Sequence, residues 1–297
     1  MEKPAWRGSN FAIWASPTLA ALTGVLLLRY VALSPLLIIA CAFILVVLQL
    51  KLLRSAVYPS ISAAILAIIT HTTSWLYPFA VCLLMAAIVL GKVSLEAFKN
   101  KKDPLGSAPK QEQQKIKQDA LPELIYWGKL LLGVLAVTFV ALRSDYLFMI
   151  APPLIVAFVE LSRPSHVLRK KPVKVLLLVV LSASLGSMWL HVVITVFQGP
   201  LWLFSGLSLA SVFLLFKGLQ ISFPPAAALA LLPVLVPSTK LFMYPLHVLI
   251  GCTLFIFMGL FFFKDVEKSE SIVLGSSESL FAENGELETG ETIPSAE

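Results

Sequence analysis

ISFPPAAALALLPVLVP, residues 221–237, is an apolar stretch that contains a double proline near its start and ends on another proline. A similar stretch, YPSISAAILAIIT, occupies residues 58–70. A helix of about 15 residues reaches only ~22 Å, whereas the hydrocarbon core of a bilayer is about 30 Å thick. Prolines lack an amide donor and disfavour helix interiors, so we expect two short helices flanked by non-helical backbone. Such backbone is tolerated within a membrane only where protein or a wet cavity surrounds it, so the two short helices are predicted to meet and shelter each other.

The composition indicates a membrane protein. Hydrophobic residues make up 58% of the 297 residues and charged residues only 13%, against about 25% charged in soluble domains. The formal net charge is +6, but the basic residues lie in loops between apolar runs, which favours the lipid bilayer as partner over nucleic acid. Cys41, Cys82 and Cys252 all lie in apolar runs without metal-ligand spacing, so we expect no metal.

The apolar runs predict an all-α polytopic fold of about ten membrane segments, eight long and two short, in two parallel repeats. The long segments are predicted at 11–28, 31–50, 75–95, 124–142, 146–161, 175–197, 201–216 and 241–263, and the short ones at 60–74 and 223–237. We divide the chain into a first membrane repeat unit at 11–95, a basic cytosolic linker at 96–123, a second membrane unit at 124–263 and a disordered acidic tail at 264–297.

The distribution of basic residues predicts the topology. If all ten segments cross, nearly all lysines and arginines fall on one side, and only Arg29, Arg143 and Lys240 fall on the other. Cytoplasmic loops carry the excess of positive charge in membrane proteins. We therefore expect ten crossings, both termini in the cytoplasm, and a location in the plasma membrane of a prokaryote.

Proline landmarks predict an internal repeat. The proline-containing pairs at 34–35, 58–59 and 77–78 recur in the same order at 199–200, 223–224 and 244–245. An even number of crossings separates the two blocks, so the repeats are parallel and related by an axis along the membrane normal. Short, proline-interrupted helices at matching places in two halves point to a transport site. The alternative is a duplicated bundle with a purely structural core.

The run PPAAALALL at 224–232, followed by Tyr244-Pro245 and a final apolar helix, resembles the HPP family of integral membrane proteins. The family signature reads HPPAGAxALL; Phe223 stands at the histidine position and Ala227 at the glycine position. Ser182 and Gly186 resemble the family's small-residue helix. The resemblance covers 145–264, with 34–99 as a weaker copy, and it implies a multi-helix membrane unit related to proteins that move nitrite.

No enzymatic motif is present in the sequence. It contains no G-x-S-x-G, no H-E-x-x-H and no phosphate-binding glycine loop. We expect neither an enzyme nor catalytic residues nor a cofactor. The predicted segments also lack acidic residues at mid-membrane depth, which disfavours a proton or sodium relay and leaves anion movement open.

The candidate substrate-binding residues lie in and around the two short helices. Their amide groups could favour an anion if the helix N-termini point at the membrane centre, and their hydroxyls could add contacts. Three histidines on the outer side could form a cationic vestibule with the basic residues there. The full set is Tyr58, Pro59, Ser60, Ser62, Ser222, Phe223, Pro224, Pro225, Ala226, Ala227, His71, His191 and His247. The simpler alternative is that the small residues only permit close helix packing and the histidines are interfacial.

Two functional hypotheses follow. The first is a transporter or channel-like permease for a small solute, an inorganic anion such as nitrite. The second is a non-transporting membrane scaffold that recruits a cytosolic partner through the linker or the acidic tail. An intramembrane enzyme is a distant third, and association into a homo-oligomer stays open.

Overall fold

The computed structural model describes residues 9–102, 120–144, 146–163 and 167–263, and these residues fold into helices without strands. The ten helices are α1 Asn10–Tyr30, α2 Pro35–Leu52, α3 Pro59–Ile69, α4 Leu76–Lys102, α5 Ala120–Ser144, α6 Pro152–Leu161, α7 Pro172–Leu190, α8 Leu201–Leu219, α9 Pro224–Leu231 and α10 Tyr244–Phe262. Most of the predicted linker, residues 103–119, and the predicted disordered tail, residues 264–297, lie outside the described residues.

The all-α polytopic fold is confirmed, but the division into long and short segments differs from the prediction. Among the described residues, seven helices are long and apolar enough to cross a membrane, and three are short: α3, α6 and α9. The segment 146–161, predicted to be one long helix, is broken at Ala151, whose φ of −47° and ψ of 131° leave the helical region. Pro152 causes the break because it supplies no amide donor and forces the residue before it out of the helical conformation.

Contacts at the helix ends show which ends of the helices lie at the same end of the bundle. Lys92 Nζ near the end of α4 donates to Asn10 Oδ1 at the start of α1, at 3.0 Å. Lys51 at the end of α2 lies 3.4 Å from Glu123 at the start of α5. Arg29 at the end of α1 donates to the carbonyl of Thr73, just beyond α3, at 3.5 Å. Thus α3 connects opposite ends of the bundle rather than turning back.

We call the end that carries Lys51 and Arg163 the basic end, and the end that carries Arg29 and Arg143 the opposite end. The cations of the basic end make several contacts that join different helices. Arg163, after α6, stacks its guanidinium 3.8 Å from the ring centre of Tyr58, before α3. The C-terminus of α6 and the N-terminus of α3 are therefore neighbours, as expected for antiparallel helices.

Helix α6 forms the centre of the bundle. Every residue of α6 except Glu160 is buried, and the helix packs against α3, α9 and α10. The Phe158 ring lies 5.1 Å from the ring of Phe255 in α10. The expectation that the two short helices α3 and α9 shelter each other directly is wrong, because α6 lies between them and packs against both.

A tyrosine follows each of α3 and α9 and donates back to it. Tyr77 Oη donates to the carbonyl of Ala63 at 2.6 Å, and Tyr244 Oη donates to the carbonyl of Leu229 at 2.8 Å. In both cases the hydrogen bond joins the first turn of the following long helix to the short helix. The same connection therefore occurs at matching places in α1–α4 and α7–α10.

A glycine allows the first helix of each group to touch the backbone of the short helix. A Cβ added at Gly24 in α1 would lie 3.0 Å from Ala64 Cα, and one added at Gly186 in α7 would lie 2.8 Å from Ala230 Cα. Real Cβ atoms essentially never come closer than 3.0 Å to such an atom. Each of these alanines directly follows the residue whose carbonyl accepts from the tyrosine, so the two contacts recur together.

Replacing Tyr244 by phenylalanine is expected to lower the free energy of unfolding by about 1 kcal/mol, the net contribution of one buried hydrogen bond. Tyr77→Phe is expected to have a similar effect in the other group of helices. The measurement is the unfolding midpoint of purified protein in detergent micelles. Tyr30→Phe is the control, since Tyr30 is 68% exposed. Equal midpoints for Tyr244→Phe and wild type would contradict a stabilising role for the bond.

Candidate functional site

The start of α9 is built by a sharp break after α8. Gln220 adopts a left-handed conformation with φ of 52°, and the amide of Ile221 donates back to the carbonyl of Phe216 at 3.1 Å. Phe223 then occupies the N-cap position of α9 with its side chain fully buried. The residue at the family's histidine position therefore serves here as a packing residue.

The N-terminus of α9 offers few donors to an anion. Pro224 and Pro225 have no amide hydrogen, and the amide of Ala226 donates to the carbonyl of Phe223 at 2.9 Å. In this conformation the first three helical residues therefore present no free N–H group. The amide-based anion site that we expected at this position is not formed.

The other two short helices begin in the same way. In α3 the amide of Ile61 donates to the carbonyl of Tyr58 at 3.0 Å, and in α6 the amide of Leu154 donates to the carbonyl of Ala151 at 2.8 Å. Pro59 is the first residue of α3. The N-terminus of α3 also lies at the basic end, beside Arg163, and not at the membrane centre as expected. The reason is that α3 crosses between the two ends.

The predicted hydroxyl ligands of the short helices are engaged or exposed. Ser60 Oγ donates to the carbonyl of Val57 at 2.7 Å, and Ser62 Oγ donates to the carbonyl of Pro59 at 2.6 Å. Ser222 is exposed. Serine next to a helix N-terminus commonly makes such local bonds, which compete with ligand contacts.

The remaining predicted residues of α9 differ in exposure. Ala226 is fully buried and Ala227 half-buried, while Pro224 is exposed and Pro225 buried. The face of α9 that carries Ala226 points into the core. The predicted residues of α3 and of α9 are thus held apart by α6 and do not form one continuous surface.

Three hydroxyls that sequence reasoning did not assign to a site are buried without a hydrogen-bond partner in the described chain: Ser182 and Ser187 in α7 and Ser208 in α8. Serine in a helix usually donates to the carbonyl four residues earlier, as Ser184 does to Val180 at 2.9 Å. An unpaired polar group is costly in a membrane interior. We call these three residues the α7–α8 hydroxyls.

Helices α7 and α8, which carry these hydroxyls, pack against each other and against α9. Ser182 comes one helical turn before Gly186, which contacts Ala230 of α9, so the two share a face of α7. Ser208 belongs to the buried stripe of α8. The sequence carried a partial signal, because Ser182 and Gly186 mark a helix rich in small residues.

The three histidines occupy three different settings. His71 is exposed and takes a left-handed conformation, with φ of 50°, just after α3. The His191 ring lies 5.2 Å from the Phe242 ring, and the buried His247 ring lies 4.6 Å from the Tyr146 ring. No group of three His, Cys, Asp or Glu side chains that could hold a metal occurs among the described residues.

The opposite end carries an open depression of about 650 Å³, lined in part by Arg29, Thr73 and Trp75. Arg29 stacks over the Trp75 ring at 5.4 Å, so its position in the depression is fixed. Of the residues predicted to form a cationic vestibule, only Arg29 lines this depression. The depression does not reach the buried face of α9, where Phe223 and Ala226 are both 0% exposed.

The apolar helices and the proline-started short helices at their centre define a multi-pass α-helical integral membrane protein. The chain belongs to the HPP family, because the family described as "HPP, transmembrane region" matches residues 118–270, which include α5–α10. A search of curated proteins gives no match, and neither does a search of solved structures. The family assignment from the sequence is thereby confirmed.

Proposed function

We propose that this protein is a non-enzymatic permease for a small inorganic anion such as nitrite. The observation that carries the proposal is the set of α7–α8 hydroxyls, three buried donors without an acceptor among the described residues, on two helices that pack against the short helix α9. A hydroxyl is a neutral hydrogen-bond donor, so it can bind an anion without a metal ion or a charged side chain in the site. Membership of a family of membrane proteins supports a transport-related role.

We infer that α1–α4 and α7–α10 are two copies of one four-helix unit. The tyrosine and glycine contacts recur in both, at Tyr77 and Gly24 and at Tyr244 and Gly186. Many transporters consist of two such repeats that move against each other around a central site. Helix α6, between α3 and α9, is the element past which the two units would move.

We place the basic end in the cytoplasm, with both termini there, in accordance with the positive-inside tendency. The opposite end, with its open depression at Arg29, then faces outward. The path between the two ends is closed in this conformation by the buried faces of α6 and α9. Transport would require α9 to separate from α7 and α8.

The test is nitrite efflux from liposomes that contain the purified protein. The triple variant Ser182→Ala, Ser187→Ala, Ser208→Ala is expected to reduce efflux at least about tenfold, corresponding to about 1.4 kcal/mol of lost binding or barrier energy. Because these hydroxyls have no partner in the closed form, their removal is expected to leave the free energy of unfolding unchanged or slightly higher. Loss of flux would then not be a consequence of unfolding.

The control is Ser184→Ala combined with Ser205→Ala. These two hydroxyls donate to the carbonyls of Val180 and Leu201 within their own helices. The control variant is expected to retain wild-type flux. If the triple variant keeps wild-type flux, the α7–α8 hydroxyls do not contribute to transport.

A second candidate function is the membrane scaffold. The close packing around the short helices favours it. Ile61, Leu154, Phe223 and Ala226, one or more from each short helix, are all at most 1% exposed. A scaffold predicts no nitrite, nitrate or chloride flux for wild-type protein in liposomes. It also predicts that deletion of residues 266–297 abolishes function in cells and leaves the helical bundle folded.

A further inference from the structure

Arg169 is a buried arginine at the basic end. It lies in the turn Val167–Lys170, just before α7, and is 6% exposed. One of its nitrogens, Nη2, donates to the carbonyl of Phe263 at 2.8 Å. Lys129 Nζ donates to the neighbouring carbonyl of Phe262 at 2.9 Å. Two cations therefore meet at the C-terminus of α10, where helix carbonyls favour positive charge.

The rest of the Arg169 guanidinium has no hydrogen-bond partner among the described residues. Neither Nε nor Nη1 has a hydrogen-bond acceptor in the part of the chain that the structure describes. Arg169 also forms no ion pair with a carboxylate of the described residues. A buried charge without a counter-charge costs several kcal/mol, and one carbonyl offsets only part of this. The three N–H bonds on these two nitrogens, which have no acceptor among the described residues, could donate to an anion.

Arg169 lines a small cavity of about 10 Å³, about the volume that holds one water-sized atom. The other lining residues are Leu161, Pro172, Ile256, Gly259 and Leu260. Pro172 is the first residue of the 19-residue α7, so the positive end of this helix dipole also faces the cavity region. Leu260, at 40% exposure, places the rim of the cavity at the surface of the bundle.

Ser162 provides a second unpartnered polar group nearby. Its side chain is 0% exposed, and its Oγ has no hydrogen-bond partner in the described residues. Oγ lies 3.8 Å from the position of a Cβ built on Gly259, which lines the cavity. A buried guanidinium, a helix N-terminus and a buried hydroxyl thus surround the same region of α10.

We propose that this region binds an oxyanion of the phosphate type. An oxygen of this group accepts from Nε and Nη1 of Arg169. Both nitrogens are covered in this conformation, so the side chains at the rim of the cavity move aside when the oxyanion binds. Planar N–H pairs of arginine suit the oxygens of phosphate, and the first amides of a helix favour negative charge. The phosphate is either the headgroup of an anionic lipid or free inorganic phosphate. The site is separate from the α7–α8 hydroxyls and does not depend on the proposed transport function.

The test measures the thermal unfolding midpoint of the full-length protein in maltoside micelles, which contain no phosphate. One arm adds inorganic phosphate in place of chloride at equal ionic strength, and a second adds phosphatidylglycerol. A phosphate-free glycolipid is the control for the second arm. Ligand that binds only the folded protein raises its midpoint. We expect a rise of several degrees in at least one arm, and the arm that responds identifies the source of the phosphate.

The variant Arg169→Gln is expected to lose this rise. Arg143→Gln is the matched control, because Arg143 is an exposed arginine at the opposite end, stacked 5.3 Å over Phe139, and it is expected to keep the rise. If Arg169→Gln does not fold, Arg169→Lys and Ser162→Ala replace it, and each is expected to lose at least half of the rise. Lysine keeps the charge but lacks the planar pair of donors.

Two outcomes would overturn the proposal. In the first, the Arg169 and Ser162 variants respond to phosphate or lipid as wild type does. In the second, wild type responds to neither phosphate nor phosphatidylglycerol. If Asp265→Asn then lowers the midpoint as much as Arg169→Gln does, a carboxylate of the chain itself is the partner of Arg169.

Discussion

Gly186→Ala is expected to lower the free energy of unfolding by about 3 kcal/mol, the upper part of the range for overpacking a well-packed interface. The added methyl group would lie 2.8 Å from Ala230 Cα and closer still to the carbonyl oxygen of the same residue. Both are backbone atoms of α9, so a change of side-chain rotamer cannot relieve the overlap. The helices α7 and α9 must move apart along their whole contact.

The measurement is the unfolding midpoint in detergent, together with the yield of monodisperse protein. Gly206→Ala in α8 is the matched control, because a Cβ at that position meets no atom within 4 Å. The control is expected to be neutral or slightly stabilising, since alanine is the better helix former. Gly24→Ala is expected to resemble Gly186→Ala, because its Cβ would meet Ala64 in the same way. A midpoint for Gly186→Ala equal to that of Gly206→Ala would show that α7 and α9 are not in backbone contact.

Phe223→Ala is expected to cost about 3–5 kcal/mol, as is typical when a large core side chain is truncated. Phe223 is 0% exposed and belongs to the main hydrophobic core, and no side-chain hydrogen bond caps the helix that it precedes. Its contribution is therefore packing, and truncation leaves a cavity at the start of α9. The loss is expected as a lower denaturation midpoint and as faster proteolysis of the loop before α9.

Phe213→Ala in α8 is the control, since Phe213 is 60% exposed and loses few protein contacts on truncation. Its midpoint is expected to stay close to that of wild type. Phe223→His is informative as well, because it restores the family residue. It places the polar nitrogens of an imidazole in a hydrophobic core, where hydrophobic side chains offer them no hydrogen bond. If Phe223→His were as stable as wild type, the site would contain polar partners or water, and the dry packing around α9 would be wrong.

The starts of the short helices could be predicted from the sequence because prolines mark helix starts locally. Pro59 and Pro224 open α3 and α9 as predicted. The same signal was present at Pro152 and Pro153, but the apolar run 146–161 is nearly long enough for a full crossing and was interpreted by its length. The prolines break the helix, and the apolar run is interrupted at Ala151. A double proline inside an apolar run is thus a stronger indicator than the length of the run.

The candidate site was harder to predict, because hydrogen-bond satisfaction depends on neighbours that are distant in sequence. Ser60 and Ser62 were expected to be ligands, yet both donate to local carbonyls. Ser182 and Ser208 have no hydrogen-bond partner within the described ranges, although nothing in their local sequence separates them from Ser184, which has one. The choice depends on which side-chain rotamer the packed neighbouring helix permits.

By itself the sequence determined the class of protein, the family and the positions of most helices, because composition, apolar length and proline act on residues that are adjacent in the chain. Only the tertiary structure decided that α6 packs against both α3 and α9, that Gly186 touches Ala230, and that Arg169 is buried with no carboxylate partner among the described residues. These facts depend on how helices far apart in sequence pack together. Burial and partner choice are properties of that packing, and no local pattern specifies them.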